Sequence, residues 1–350
     1  MIFGSKSTIG LDIGSSYIKA VQVKDVKDGY ELAMFDMIPT APELIVDGAV
    51  IDSLRLVDFL KELRSKAKFK TKDCVISMSG HSSVIIKRIT LPEMSEDELE
   101  ESIRFEAEQY VPFDIDDVNI DFQILGPKEE PGQMDVILVA VKKDIINEFV
   151  TVVKDAGMNP VIVDVDAFAL ENMYEVNYEI QPEANTVLVN IGASTITLNI
   201  LKGGISAFTR DSAIGGNIIT EAIQKEFNVT YEDAEKLKFG ESVEGVSSDE
   251  AMSIVYSASE DIFTEISRSI EYFRSTAVQE EINEVILCGG CALIRNFDEM
   301  LAERINVNVS VVQPFRNVRI PSKMDSAYIE EMAPLAAVAT GLALRRHGDR

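Results

Sequence analysis

The sequence predicts an α/β fold in which two duplicated domains face a shared cleft and a separate α/β module is inserted into the first. Three observations predict it. A short hairpin pattern near the start of the chain recurs past its middle. A late apolar strand runs into paired glycines. Between the two hairpins lies a compact strand–helix–strand–strand–helix–strand run.

The first hairpin is "TIGLDIGSSYIKAVQVK", Thr8 to Lys24, and the second is "TVLVNIGASTITLNILK", Thr186 to Lys202. Six of the 17 positions are identical without a gap, which reads as an internal duplication. At the first bend, Gly14 lets the backbone turn tightly and approach a ligand, while Ser15 and Ser16 add hydroxyl donors. Successive amides in such a turn form a concave anion site. Lys19, on the outgoing strand, brings a positive charge back to the bend. Asp12 is unsuited to a direct phosphate contact but suits a hydrated Mg2+, held through water. The matching positions of the second hairpin are Asn190, Gly192, Ala193 and Ser194. Two such bends facing each other would clamp a polyphosphate between the domains. The D-x-G-S pattern alone is also an ordinary β-turn in which Asp caps its own backbone, and the repeat is what favours a site.

The inserted run starts with the strand "SVIIKRITL" and the helix "SEDELEESIRFEAEQYV". Ser95 followed by Glu98 is a capping box, and Pro112 ends the helix. Two strands, the helix "DIINEFVTVVKDAG" and the strand "PVIVDVD" complete it. Asp164 and Asp166, after this last strand, read best as the turn where the chain re-enters the first domain, and His81 reads as a turn residue at the entry to the insert.

Past the second hairpin, Gly215 and Gly216 precede a helix that begins at Asn217. In "YEDAEKLK", Glu235 and Lys238 share a helix face, placed either as a surface ion pair or as a hold on a ribose beside a purine. The segment 241–250 is an acidic, solvated connection, and Ile262, Phe263, Ile266, Ile270 and Phe273 have the spacing of a core helix. In "VILCGGCALI", Gly289 and Gly290 separate a buried strand from a helix, so a flat ligand can lie against bare backbone. The glycines account for this stretch without invoking redox chemistry at Cys288 and Cys291.

Composition bounds the functions available. The 350 residues carry 33 basic and 59 acidic side chains, a net charge of −26, which repels phosphate backbones and anionic lipid. No nucleic-acid partner is expected, and membrane association is expected only through other proteins. Three cysteines and two histidines supply neither a disulfide framework nor a zinc site, consistent with a reducing compartment. Residues 1–10 lack the apolar core of a leader peptide. Met332 to Leu344 is apolar for 13 residues, short of the roughly 20 that span a bilayer, and reads as a core helix.

These motifs, in this order, resemble the actin-like ATPase superfamily, which includes actin, Hsp70 chaperones, sugar kinases and FtsA. "LDIGSSYIK" is similar to its first phosphate motif, "VNIGASTITL" to its second, "ILCGGCALI" to its adenosine motif and "AEKLK" to its nucleoside contact. The insert resembles the 1C (SHS2-type) subdomain of FtsA. "ESIRFEAEQYVPFDIDDVNIDFQIL" and "MAPLAAVATGLALR" are similar to the PilM family of type IV pilus assembly proteins. The resemblance implies subdomain 1A at 1–82, 1C at 83–163, a return to 1A at 164–185, 2A at 186–216, 2B at 217–280, 2A again at 281–331 and a C-terminal helix back on 1A at 332–350.

It further implies a cytoplasmic protein that binds ATP with Mg2+ and works at the cytoplasmic face of the inner membrane with other pilus proteins. The implied partner is the N-terminal cytoplasmic tail of PilN, seated in a groove between 1A and 1C, with Ile103 and Tyr110 as candidate lining residues. Active members often place Asp at the start of the second phosphate motif. Asn190 stands there instead, so ATP turnover is expected to be slow or absent. Two rival readings share the fold. A small-molecule kinase would need a carboxylate base in the cleft. A filament-forming membrane tether like FtsA would need a linker and membrane helix beyond "LALRRHGDR".

Overall fold

The computed structural model describes residues 7–42, 44–46, 48–128, 130–276 and 281–346. The last residues of "LALRRHGDR" lie outside that set. β1 (Ile9–Ile13) and β2 (Tyr17–Val26) form the first predicted hairpin, and β3 (Gly29–Pro39) adds to it antiparallel. A small ladder, β4 (Ile45–Val46) with β5 (Ala49–Val50), leads into α1 (Ser53–Ala67). The Asp52 side chain caps that helix by accepting from the Arg55 amide, and its buried stripe is Leu56, Val57, Leu60 and Leu63. β6 (Asp73–Met78) then runs parallel to β1.

The insert follows as β7 (Val84–Pro92), α2 (Glu96–Ala107), β8 (Val118–Pro127) and β9 (Gln133–Lys142), a three-stranded sheet in the order β7-β9-β8. The Ser95–Glu98 capping box is present: Glu98 accepts from the Ser95 amide at 2.8 Å, and the Ser95 hydroxyl accepts from the Glu98 amide at 3.3 Å. The insert is smaller than the sequence suggests. α3 (Lys143–Asp155) packs into the first domain's core, and β10 (Asn159–Val165) pairs with β6, so the run's last helix and strand belong to the first sheet. β10 is the edge strand of the first sheet, paired with β6 alone; its residues mark it as a strand but do not say which sheet it joins.

α4 (Asp166–Asn177) crosses to the second domain, where β11 (Asn185–Ile191) and β12 (Ile196–Lys202) form the second hairpin and β13 (Ile205–Ser212) extends it. Helices α5 (Asn217–Phe227), α6 (Tyr231–Lys238) and α7 (Ser248–Thr276) cover this sheet, and the predicted core stripe Ile262 to Phe273 is buried in it. β14 (Glu284–Cys288), α8 (Phe297–Ile305) and β15 (Val309–Val311) complete the domain. The return to the first domain comes earlier than expected: β16 (Val318–Arg319) already pairs with β3, ahead of residue 332. α9 (Ser326–Met332) and α10 (Ala337–Leu344) flank a 3-10 turn containing Pro334, which breaks the single helix the composition suggested. The stretch Ser326–Leu344 is long and apolar enough to cross a membrane by length and composition alone, but 61% of it is buried inside the protein.

The duplication goes deeper than the hairpins. The first sheet runs β10-β6-β1-β2-β3-β16 and the second β15-β14-β11-β12-β13 in the same sense. Parallel and antiparallel pairings match step for step. Even the β-bulge falls at equivalent positions, between Gln22 and Val23 in one copy and Ile200 and Leu201 in the other. Between the sheets lies a layer made by α4 and α10, packed on Val75, Leu188 and Ile286. The second domain also touches the root of the insert, where the Gly80 amide donates to Asp211 at 2.8 Å.

Candidate functional site

The two hairpin bends meet. Each closes with the same bond, Gly14 N–H to the Tyr17 carbonyl and Gly192 N–H to the Thr195 carbonyl, at 3.1 and 2.9 Å. The Ser15 and Ser194 hydroxyls lie 2.9 Å apart across the gap between domains. Behind them opens a cavity of about 520 Å³. Its walls include Asp12, Gly14, Ser15, Ser16, Lys19, Asn190, Gly192, Ala193, Ser194, Gly216, Glu235, Lys238, Gly289 and Gly290. Residues spread over the sequence from 12 to 290 thus share one space.

Gly215 and Asn217 stand behind the wall. A Cβ on Gly215 would sit 2.6 Å from the Gly192 carbonyl, and the Asn217 amide donates to the Ala193 carbonyl at 2.8 Å. Both brace the second bend. The Asn217 side-chain oxygen is nevertheless buried without a hydrogen-bond partner among the described residues. Gly289 has φ +87 and lies against the Ile191 carbonyl, where a Cβ would come within 2.4 Å. Gly290 faces open space and leaves bare backbone at the cavity wall.

The charges are asymmetric. Asp12 and Lys19 pair across the β1–β2 ladder at 2.8 Å, with both side chains largely shielded. At the equivalent rungs of the second hairpin, Asn190 faces Thr197, which carry no charge. On α6, Lys238 is almost fully buried and donates to Glu235 at 2.5 Å and to Thr220 at 2.9 Å. The Glu235 carboxylate also accepts from the Thr220 hydroxyl. This is no surface pair; the helix presents a fixed polar triad at the cavity edge.

Two further residues belong to the site, Asp166 on the cavity wall and Tyr231 beside the first bend. Asp166, read from the sequence as a turn, lines the cavity. The Ser77 hydroxyl donates to it, and burial together with the nearby Asp12 carboxylate pushes its acid up to about 7. Asp164 is the one that turns away, into an ion pair with Arg345 at 3.3 Å. Tyr231 reaches the Ser16 hydroxyl from the second domain, and burial raises its phenol to about 12. Neither Asp166 nor Tyr231 sits in a repeated motif, so only the three-dimensional arrangement reveals them.

The Asp166 shift has a measurable consequence. Its folded-state acid is weaker than in the unfolded chain, so between about pH 4 and pH 7 the unfolded chain gives up a proton that the folded state keeps. Stability falls across that window and levels above it. Asp166→Asn is expected to flatten this slope and raise Tm at pH 8 by several degrees in thermal melts followed by circular dichroism. An unchanged slope would mean that Asp166 ionises freely.

The remaining candidates divide. All three cysteines are buried free thiols, and burial pushes Cys291 up to about 12, which disfavours the thiolate that redox exchange needs. His81 is an exposed turn residue. Ile103 is 5% exposed within the insert's own core, and Tyr110 packs against the same core. The Ile103 face of α2 is the face on which the insert's sheet packs.

The chain as a whole matches known proteins. Residues 10–347 match the family described as type IV pilus assembly protein PilM. The chain belongs to the PilM family. A solved PilM–PilN type IV pilus biogenesis complex superposes on this PilM-family chain with a TM-score of 0.84, at 30% identity, over 97% of this chain and 98% of that one. Cell division protein FtsA of Escherichia coli is 26% identical over 257 residues, 67% of this chain but only 60% of FtsA. More distant likenesses show the fold alone. EutJ of Carboxydothermus hydrogenoformans has a TM-score of 0.59 at 17% identity, covering 96% of this chain and 89% of EutJ. MreB5 of Spiroplasma citri, solved with ADP, has a TM-score of 0.53 at 16% identity, covering 96% and 94%. The fold is that of the actin-like ATPases.

Proposed function

We propose that this chain is a nucleotide-binding scaffold of a type IV pilus assembly machine, holding Mg2+-ATP in its cleft and the cytoplasmic N-terminal tail of a PilN-type protein on its first domain. The observation that carries the first half is the meeting of the two bends at Ser15 and Ser194 around one cavity. The donor set suits a triphosphate: an ammonium at Lys19, hydroxyls at Ser15, Ser16 and Ser194, and two glycine turns. Among the described residues no cluster of three or more ligating side chains could cage a metal by itself. Mg2+ would therefore be held chiefly by phosphates and water, with Asp12 behind the water, which is the habit of that ion. Lys238, Glu235 and Gly290 would frame the nucleoside.

Turnover is expected to be slow, because Asn190 supplies no carboxylate to the second bend. Beyond Asp12, the cavity wall carries the carboxylates of Asp166, Glu235, Glu241 and Glu331, and Asp166, beside Asp12, is the one a kinase of this fold would use. Screening sugars for ADP production separates that reading from the scaffold, and sedimentation with and without ATP tests for FtsA-like filaments.

For the PilN tail, the supporting feature is a groove between α1 and α3, lined by Leu54, Val57, Asn147, Glu148, Thr151 and Val152. Leu54, on the wall of this groove, is 82% exposed. A bare apolar side chain on a groove wall offers a partner peptide an anchor point. Leu54→Glu is expected to weaken binding of a synthetic PilN tail peptide about tenfold or more by fluorescence anisotropy, with Mg2+-ATP binding unchanged. Undiminished peptide binding would remove the groove from the proposal. Attachment to the inner membrane would follow from this partner rather than from the chain itself.

A further inference from the structure

The outward face of α2 is used by neither the cleft nor the α1–α3 groove. The helix buries Leu99, Ile103 and Ala107 on its sheet. Glu101, Arg104, Phe105 and Glu108 recur on its other side at the same helical spacing, all exposed. Phe105 is 70% exposed, the barest phenylalanine among the described residues. Beside it runs an open groove of about 600 Å³ containing Phe113 and Ile115 and rimmed by Glu101, Glu108, Asp114 and Asp116. The basic groups at the groove are already engaged: Arg104 pairs with Asp116 at 2.8 Å, Lys143 donates to the Asp116 backbone carbonyl at 2.6 Å, and Lys142 stands over the Phe113 ring at 4.6 Å.

We propose that this face is a second docking site, which takes a basic amphipathic segment of a partner protein. An apolar side chain of the segment packs on Phe105, and its lysines or arginines meet Glu101, Glu108 and Asp114. An aromatic anchor within a polar rim is the usual anatomy of a binding surface. Charge selects the occupant. A second copy of this chain brings its own net −26 to an acidic rim, and an anionic lipid surface is repelled in the same way. A cationic segment is steered towards it. The inference does not rest on the nucleotide reading or on the PilN groove, whose residues are different.

The test uses the full chain and a labelled synthetic helical peptide with lysines on one face and leucines and one phenylalanine on the other. Anisotropy should show saturable binding that weakens with salt. Phe105→Ala should lower affinity tenfold or more, and the double change Glu101→Lys with Glu108→Lys should abolish binding. These residues are exposed, so thermal melts of both variants should match wild type. ATP and PilN-tail binding should also be unchanged. Equal binding by a lysine-only peptide would reduce the effect to bulk charge and overturn the proposal, as would full affinity in Phe105→Ala. Loss of the PilN tail in Phe105→Ala would assign this face to that tail. Phe105-dependent pelleting with anionic vesicles, or Phe105-dependent self-association, would replace the basic segment with a membrane or a second copy.

Discussion

Gly341→Ala is expected to destabilise the protein by about 3 kcal/mol or more, enough to leave much of it aggregated on expression. α10 crosses α4 so closely that a Cβ at Gly341 would lie 1.7 Å from the Ala169 carbonyl oxygen. On the other side of the same helix, a Cβ at Gly10 of β1 would lie 2.0 Å from the Ala339 carbonyl. Both obstacles are backbone, which cannot rotate away as a side chain can. The layer of α4 and α10 would have to separate, and it joins the cores of the two domains. Urea denaturation of Gly341→Ala measures the loss directly. A midpoint within error of wild type would mean that α10 does not cross α4 at this point. Gly10→Ala should behave alike from the β1 side.

The second large effect is expected at Asp12. Asp12→Ala should cost on the order of 100-fold in Mg2+-ATP affinity by calorimetry, because it removes the carboxylate behind the ion and the partner of Lys19. The loss should depend on Mg2+ and be small for adenosine. Lys19→Ala should likewise weaken the triphosphate more than the nucleoside. The equivalent change in the second hairpin, Asn190→Ala, should cost far less, since that rung carries no charge. Equal losses at Asp12 and Asn190 would show that the two bends share the ion evenly, against the one-sided charge of the first hairpin.

Much of this site was legible in the sequence because a phosphate cradle needs particular residues at fixed spacing. The gapless match of the two hairpins placed Asp12, Gly14 and Lys19 on one bend, and Asn190 and Gly192 on the other. The Glu235–Lys238 pair was legible as a shared helix face, but its burial was not, since burial depends on Thr220 from another helix. Asp166 was misread because strand alternation keeps residues two apart on one face, whereas β10 ends at Val165 and α4 begins at Asp166, so the change of element sends the two side chains to different places. Asp164 and Asp166 differ in that way. Ile103 was misread for a related reason. Helical periodicity shows that two faces exist, while packing decides which is buried, and the bare face proved to be that of Phe105. The matched bulges in the two sheets left no trace in residue identity, since a bulge is a property of strand pairing rather than of side chains.

Calorimetric titration of the wild-type chain with ATP, ADP and adenosine, in the presence and absence of Mg2+, is the shortest route to the central claim. Two bends that jointly hold a magnesium triphosphate predict affinity falling from ATP through ADP to adenosine, by at least about tenfold overall, with the ATP advantage lost on chelation. Adenosine binding as tightly as ATP, or ATP binding indifferent to Mg2+, would contradict it.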